Sequence, residues 1–131
     1  MLLRQAGSFI TTIPRIGDTL GAAILGEIGD IHRFEKPCKL LAYAGLDPTV
    51  RQSGKFQATH TRMSKRGSKL LRYALINAAW EVSLNNKTFG DYFKLKLSQG
   101  HSHFNALGHV AHKLVRVIFK MMTANIAFDL P

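Results

Sequence analysis

Cysteine is nearly missing from this chain of 131 residues, with Cys38 the only one. No disulfide can form within the chain, and a cysteine-built zinc site is not expected. Cys38 reads instead as a small buried hydrophobe in a reducing cytosol. Long apolar runs are missing too. The hydrophobic stretches are short and broken by Gly, Lys and Glu, and none nears the roughly 18 residues of a membrane span. The N-terminus MLLRQAGSFITTIPRIG lacks the layout of a signal peptide. These absences predict a soluble cytoplasmic protein, nucleoid-associated if its charge serves DNA, with no membrane partner. Strand-like alternation and internal repeats are scarce, which leaves helix as the dominant prediction.

Acidic residues are the most informative shortage. The chain has 8 Asp and Glu against 18 Lys and Arg, a net charge of +10. Residues 1–47 balance five bases against five acids. Residues 48–80 hold seven bases (Arg51, Lys55, Arg62, Lys65, Arg66, Lys69 and Arg72) and no acid. Such a field attracts polyanions, of which nucleic acid is the commonest in the cytosol. An anionic membrane or a plain solubilising face accounts for charge alone equally simply. The scattered acids also argue against a self-contained two-metal nuclease, which needs several carboxylates together.

What is present is a core's worth of apolar residues, 46% of the chain. One domain over 1–131 is expected, all-α, in three subregions. The first, 1–46, is helix-hairpin-helix-like: a short helix over 2–10, a turn at Pro14 and Gly17, a helix to Ile28 closed by Gly29, then a helix from Pro37 to Gly45. The second, 47–63, is a polar loop with room for a short strand pair. The third, 64–131, holds a helix from Ser64–Ser68 to Leu84, broken by Asn85-Asn86, a helix over 88–97, and a long helix over 102–122. The sequence NIAFDLP reads as a chain end.

Both long helices carry an apolar stripe that reads as core: Leu71, Ala74, Leu75, Ala78 and Val82 in the first, and Leu107, Val110, Ala111, Leu114, Val117, Ile118 and Met121 in the last. Each also carries a basic stripe. Lys65, Lys69 and Arg72 form one, and His109, Lys113, Arg116 and Lys120 form the other at steps of four, three and four. A solvated face explains either one alone. Two of them beside an acid-free loop favour phosphate binding.

Three local patterns bear on chemistry. The segment IPRIGDTLGAA resembles a helix-hairpin-helix, whose helix start offers unpaired backbone donors and a favourable dipole to a DNA phosphate. Arg15 stands where that motif usually has its first glycine, and Gly17 keeps the second. A purely structural helix–turn–helix unit is the alternative. Next, Arg51-Gln52-Ser53-Gly54-Lys55 sets a small hydroxyl among cations. This arrangement suits holding a phosphodiester and stabilising charge that develops on it. Serine needs a base or metal to become a nucleophile, and only His60 offers itself nearby. A turn serine bonding its own backbone is the plain alternative. Finally, His101-x-His103 and His109-x-x-His112 have ligand-like spacing. No cysteine or carboxylate completes a site, so histidines on a DNA-facing helix are the simpler account and no metal ligand is assigned.

Taken in order, IPRIGDTLGAAILGEIGDIHRF, KLLAYAGLDPTVRQSGK, RMSKRGSKLLRYALINAAW and the basic last helix resemble the C-terminal domain of the serine-containing DEDD transposases of bacterial insertion sequences. These are relatives of the pilin-gene invertases, and some are guided by a bridge RNA. The resemblance spans roughly Thr12 to Met122. It implies a partner domain, resolvase-like, whose four acids bind magnesium; no cofactor is expected in this chain itself. It implies a serine in a Gln-Ser-Gly context that links covalently to DNA, and Ser53 is the matching position. A transient covalent link conserves the phosphodiester's energy for rejoining. The expected DNA contacts are Arg15, Gly17, Arg51, Lys55, Arg62, Lys65, Arg66, Lys69, Arg72, Lys113, Arg116 and Lys120. Without the acid domain the chain is expected to bind DNA, with a homo-oligomer left open, and to cleave little alone. A non-catalytic nucleic-acid-binding module is the rival reading, and a protein-interaction bundle the third.

Overall fold

The computed structural model describes residues 8–46 and 67–131. All its regular elements there are helical, as the composition implies. A 3-10 turn, Ser8–Thr12, precedes α1 (Asp18–Ile28). A second 3-10 turn, Ile31–Arg33, leads to α2 (Pro37–Tyr43). Then follow α3 (Lys69–Asn85), α4 (Lys87–Ser98) and α5 (His103–Ala124).

Local chemistry sets most boundaries. Ser68, Asn86 and Ser102 each accept a bond from a backbone N–H three residues on, at Leu71, Phe89 and Asn105. These are side-chain N-caps of the usual kind. Asn86 also ends α3, donating its N–H to Val82. Pro37 opens α2, where its missing N–H costs nothing. Gly29 closes α1 at φ 66°, its N–H on Leu25.

The core forms around α5, nine of whose residues are buried. Its apolar stripe packs on that of α3, where Leu71, Ala74, Leu75, Ala78, Ala79 and Val82 are buried. α1 and α4 flank α3, and α2 lies on α5. Ile10, Ile13, Ile16, Ile24, Ile28, Leu40 and Leu41 complete the interior from the N-terminal half. Gly90 lets α4 cross close to α3, since a Cβ there would lie 2.9 Å from the Ser83 carbonyl oxygen.

Three particulars differ from the sequence reading. Cys38 is exposed in the first turn of α2, because the helix buries Leu40 and Leu41 instead. The segment before the Pro14 turn is a 3-10 turn over Ser8–Thr12, so the helix predicted over 2–10 lies mostly outside the described residues. The end of the chain is structural. Phe128 donates its N–H to Thr12 Oγ1, 2.9 Å away, and its ring stacks on Phe89. Pro131 and Leu130 offer carbonyls to Thr88 and Asn86. The tail therefore ties the start of α4 to the first 3-10 turn.

Candidate nucleic-acid interface

Of the residues singled out from the sequence, Arg51, Ser53, Lys55, Arg62, Lys65 and Arg66 lie outside the described residues. The structure does describe where their segment departs and returns. Leu46 is buried and bonds back to Leu41. Ser68 donates its N–H to the Tyr43 carbonyl over 2.8 Å. The chain that leaves α2 thus returns to within one hydrogen bond of its departure.

This root is built from α1, α2 and α3 together. A Cβ on Gly67 would fall 1.9 Å from the Tyr43 carbonyl oxygen, so no larger residue fits there. The Ser68 hydroxyl caps α3 and donates to Glu27 Oε1 on α1. Arg33 closes the other side. Its Nε donates to the Ile28 carbonyl at 2.9 Å and its Nη2 to the Glu27 carbonyl at 3.1 Å. The guanidinium lies 4.5 Å from the Phe34 ring centroid and 4.8 Å from that of Tyr43. Such stacking adds a modest attraction and holds both rings in place.

Lys69 and Arg72 stand at the start of α3, directly beyond the root. No acid shares that first turn. Cations there oppose the helix dipole, which favours anions at this end. Their positive charge and the dipole of the helix start then act together on any approaching anion. Among the described residues, neither side chain meets a carboxylate at ion-pair distance.

Arg15 and Gly17 form the turn before α1. Arg15 adopts φ 67°, the left-handed region that glycine favours. Its side chain is exposed and lies 3.9 Å from Glu81 Oε1. With Ile16, Gly17, Leu20 and Glu81 it lines an open depression of about 490 Å³. Gly17 is the N-cap of α1 and offers no side chain to its first turn.

On α5, the spacing of His109, Lys113, Arg116 and Lys120 places them within a sector about 60° wide, away from the buried stripe. Arg116 and Lys120 are exposed, and His109 and Lys113 are half-buried. The sequence reading missed what they border. The Lys113 and Lys96 ammoniums each lie 5.2 Å from the centroid of Tyr92. His101 and His109 meet edge to face at 4.6 Å. Tyr92 and Lys96 of α4 meet Lys113 of α5 there, a contact between helices that no one-helix periodicity carries.

Lys87 and Asp91 pair on the surface at 2.7 Å. The hydrogen bond and charge of Lys87 hold the Asp91 carboxyl below its ordinary value, and the same pair raises Lys87. Among the described residues, no three His, Cys, Asp or Glu side chains gather to hold a metal. Their donor set does not fit a magnesium site. Nor, among those residues, is any helix long and apolar enough to cross a membrane.

The family model for the transposases of IS116, IS110 and IS902 matches residues 7–94. The chain belongs to this transposase family. It is 30% identical over 128 residues to the pilin gene-inverting protein of Moraxella bovis, covering 97% of this chain and 40% of that one. It is 30% identical over 117 residues to the transposase for insertion sequence element IS1111A of Coxiella burnetii, covering 87% and 32%. It is 28% identical over 113 residues to the 44.8 kDa protein of insertion element IS116 of Streptomyces clavuligerus, covering 86% and 28%. The chain thus spans well under half the length of these curated relatives. No solved structure matches it.

Proposed function

We propose that this chain is the DNA-holding, serine-bearing part of a recombinase, and that Ser53 is its nucleophile toward a DNA phosphodiester. One observation carries the reading. Ser53 lies inside the matched family region, in the N-terminal part of a stretch of 33 residues with seven bases and no acid. In the proposed step, the Ser53 hydroxyl oxygen bonds to phosphorus as one phosphorus–deoxyribose oxygen bond breaks. The serine proton leaves to a base, and the freed sugar oxygen takes one up. Arg51, Lys55, Arg62, Lys65 and Arg66, with Lys69 and Arg72 at the helix start, hold the phosphate and offset its growing charge. Arg15 and Gly17 at the α1 turn, and Lys113, Arg116 and Lys120 on α5, contact the backbone elsewhere.

Magnesium, in this reading, belongs to an acid-bearing domain outside these residues and lends that domain its usual charge stabilisation of phosphoryl transfer. The DEDD subdivision and the use of a guide RNA follow from the same resemblance. The Moraxella relative is named for inverting a pilin gene, which is recombination of this general kind.

The test is Ser53→Ala in a protein carrying that second domain. Recombination should fall by at least about a thousandfold. Duplex affinity should hold within about twofold, because a hydroxyl adds little to a contact dominated by charge. A denaturation-resistant DNA adduct should form with wild type only. Unchanged recombination in the variant removes Ser53 from the chemistry and leaves a non-catalytic DNA-binding module.

A further inference from the structure

α3 has a second apolar face that the core does not use. Leu70 and Tyr73 are 54% and 70% exposed, and Trp80 and Leu84 are 36% and 59% exposed. With Asn77 they recur at steps of three, four, three and four. At 100° per residue these five occupy a sector about 80° wide, roughly 150° from the buried stripe. A helix apolar on two faces is not explained by its own core. The exposed area of the four apolar side chains is about 450 Å², the size of the largest apolar patch on a typical monomer, which often has a function.

The spacing is also symmetric to within one residue. Leu70 and Leu84 stand seven residues either side of Asn77, and Tyr73 and Trp80 stand four and three. We propose that this face of α3 is a self-complementary interface, on which a second copy of this chain packs its own α3 antiparallel with Asn77 at the two-fold axis. Each Leu70 then meets the second copy's Leu84, and each Tyr73 lies one residue, about 1.5 Å along the axis, from register with the second copy's Trp80. A two-fold interface requires a surface complementary to itself, and a stripe that is palindromic to within one residue meets that requirement. A surface for an unrelated partner has no reason to be symmetric. Trp80 is pre-set for the contact, its ring held by Phe93 at 6.0 Å and His103 at 5.1 Å.

Asn77 fixes the register. It already donates one amide hydrogen to the Tyr73 carbonyl of its own helix, 3.0 Å away. At the axis, its second hydrogen and its oxygen bond reciprocally to the second copy's amide. A lone polar residue in an apolar seam selects alignment in this way. The pair covers about 900 Å² before flanking residues are counted, near the roughly 1,000 Å² of a specific interface. It also sets the two Lys69 residues about 24 Å apart along the seam.

This inference is independent of the Ser53 chemistry, and salt separates the two. Each copy carries +10, so added salt relieves repulsion between copies and tightens the pair. DNA binding weakens under the same change. Sedimentation equilibrium on the chain should show a monomer–dimer equilibrium that shifts toward dimer as salt rises. Tyr73→Glu should raise the dimer dissociation constant at least about tenfold while helicity by circular dichroism stays the same. In a Cys38→Ser background, Asn77→Cys should cross-link to itself under mild oxidation. Leu70→Cys should not, yet should couple readily to Leu84→Cys when the two are mixed. A chain monomeric throughout, a Tyr73→Glu dimer as tight as wild type, or self-coupling of Leu70→Cys each overturns the proposal.

Discussion

Replacing Gly67 by alanine tests whether the root of the Ser53 segment is as tight as its geometry says. A Cβ at that position falls 1.9 Å from the Tyr43 carbonyl oxygen, whereas ordinary contact begins at 3.4 Å. The two backbones must therefore part by about 1.5 Å. The Ser68 N–H to Tyr43 bond, 2.8 Å long, does not survive such a separation. Overpacking of this kind costs about 1–3 kcal/mol. A buried backbone pair left unbonded adds about 1–2 kcal/mol. The sum, about 2–5 kcal/mol, is a large part of the 5–15 kcal/mol typical of a domain. Urea and thermal melts followed by circular dichroism read it directly, with a fall in Tm of roughly 8–20 °C. Gly17→Ala is the matched control: a Cβ there meets nothing within 4 Å and the backbone is extended at φ −82°. As Gly17 caps α1, its loss should stay near the roughly 1 kcal/mol usual for alanine at an N-cap. Should Gly67→Ala melt together with Gly17→Ala and wild type, the root is not closed in the way its geometry requires.

Two further outcomes follow from the surface charges. If Lys113, Arg116 and Lys120 touch phosphates, replacing all three by glutamine should flatten the log–log salt dependence of duplex binding by roughly 0.9 for each phosphate no longer neutralised; an unaltered slope means that α5 stays clear of the DNA. The Lys87–Asp91 pair gives a pH signature. The depressed Asp91 carboxyl adds stability above its ordinary 3.8 that fades as pH falls through its lowered value. The raised Lys87 adds stability below 10.5 that fades at higher pH. The Tm gap between wild type and Asp91→Asn should thus be small, flat at neutral pH and closed at both extremes. A gap that peaks in acid would contradict the pairing.

Much of the fold was legible because its signals are local. The stripes Leu71–Val82 and Leu107–Met121 are core as their period requires, and Asn86, Pro37 and Gly29 fall at boundaries for reasons written in one or two residues. What escaped is non-local. Nothing in GSK says that Gly67 must touch Tyr43, or that Ser68 reaches Glu27 across 41 positions. Nothing in NIAFDLP says that Phe128 bonds Thr12. The outer stripe of α3 was readable, for Leu70, Tyr73, Trp80 and Leu84 are apolar and regularly spaced. It was masked by the stronger stripe beside it, and only burial shows that two faces of one helix are apolar.

The arrangement of rigidity explains why a serine could be useful in so charged a segment. A nucleophile must be delivered to phosphorus within a few tenths of an ångström, and cations alone attract without aiming. Here both ends of the segment are fixed to one another. Leu46 is buried on one side, and Gly67 and Ser68 are held against Tyr43 and Glu27 on the other. The glutamate that holds Ser68 is itself backed by Arg33, whose guanidinium binds the Glu27 carbonyl and lies against Tyr43. The root therefore joins the hairpin-like half of the chain to the basic start of α3. In the proposed reading, Lys69 and Arg72 would hold a strand from the helix turn at which that segment ends.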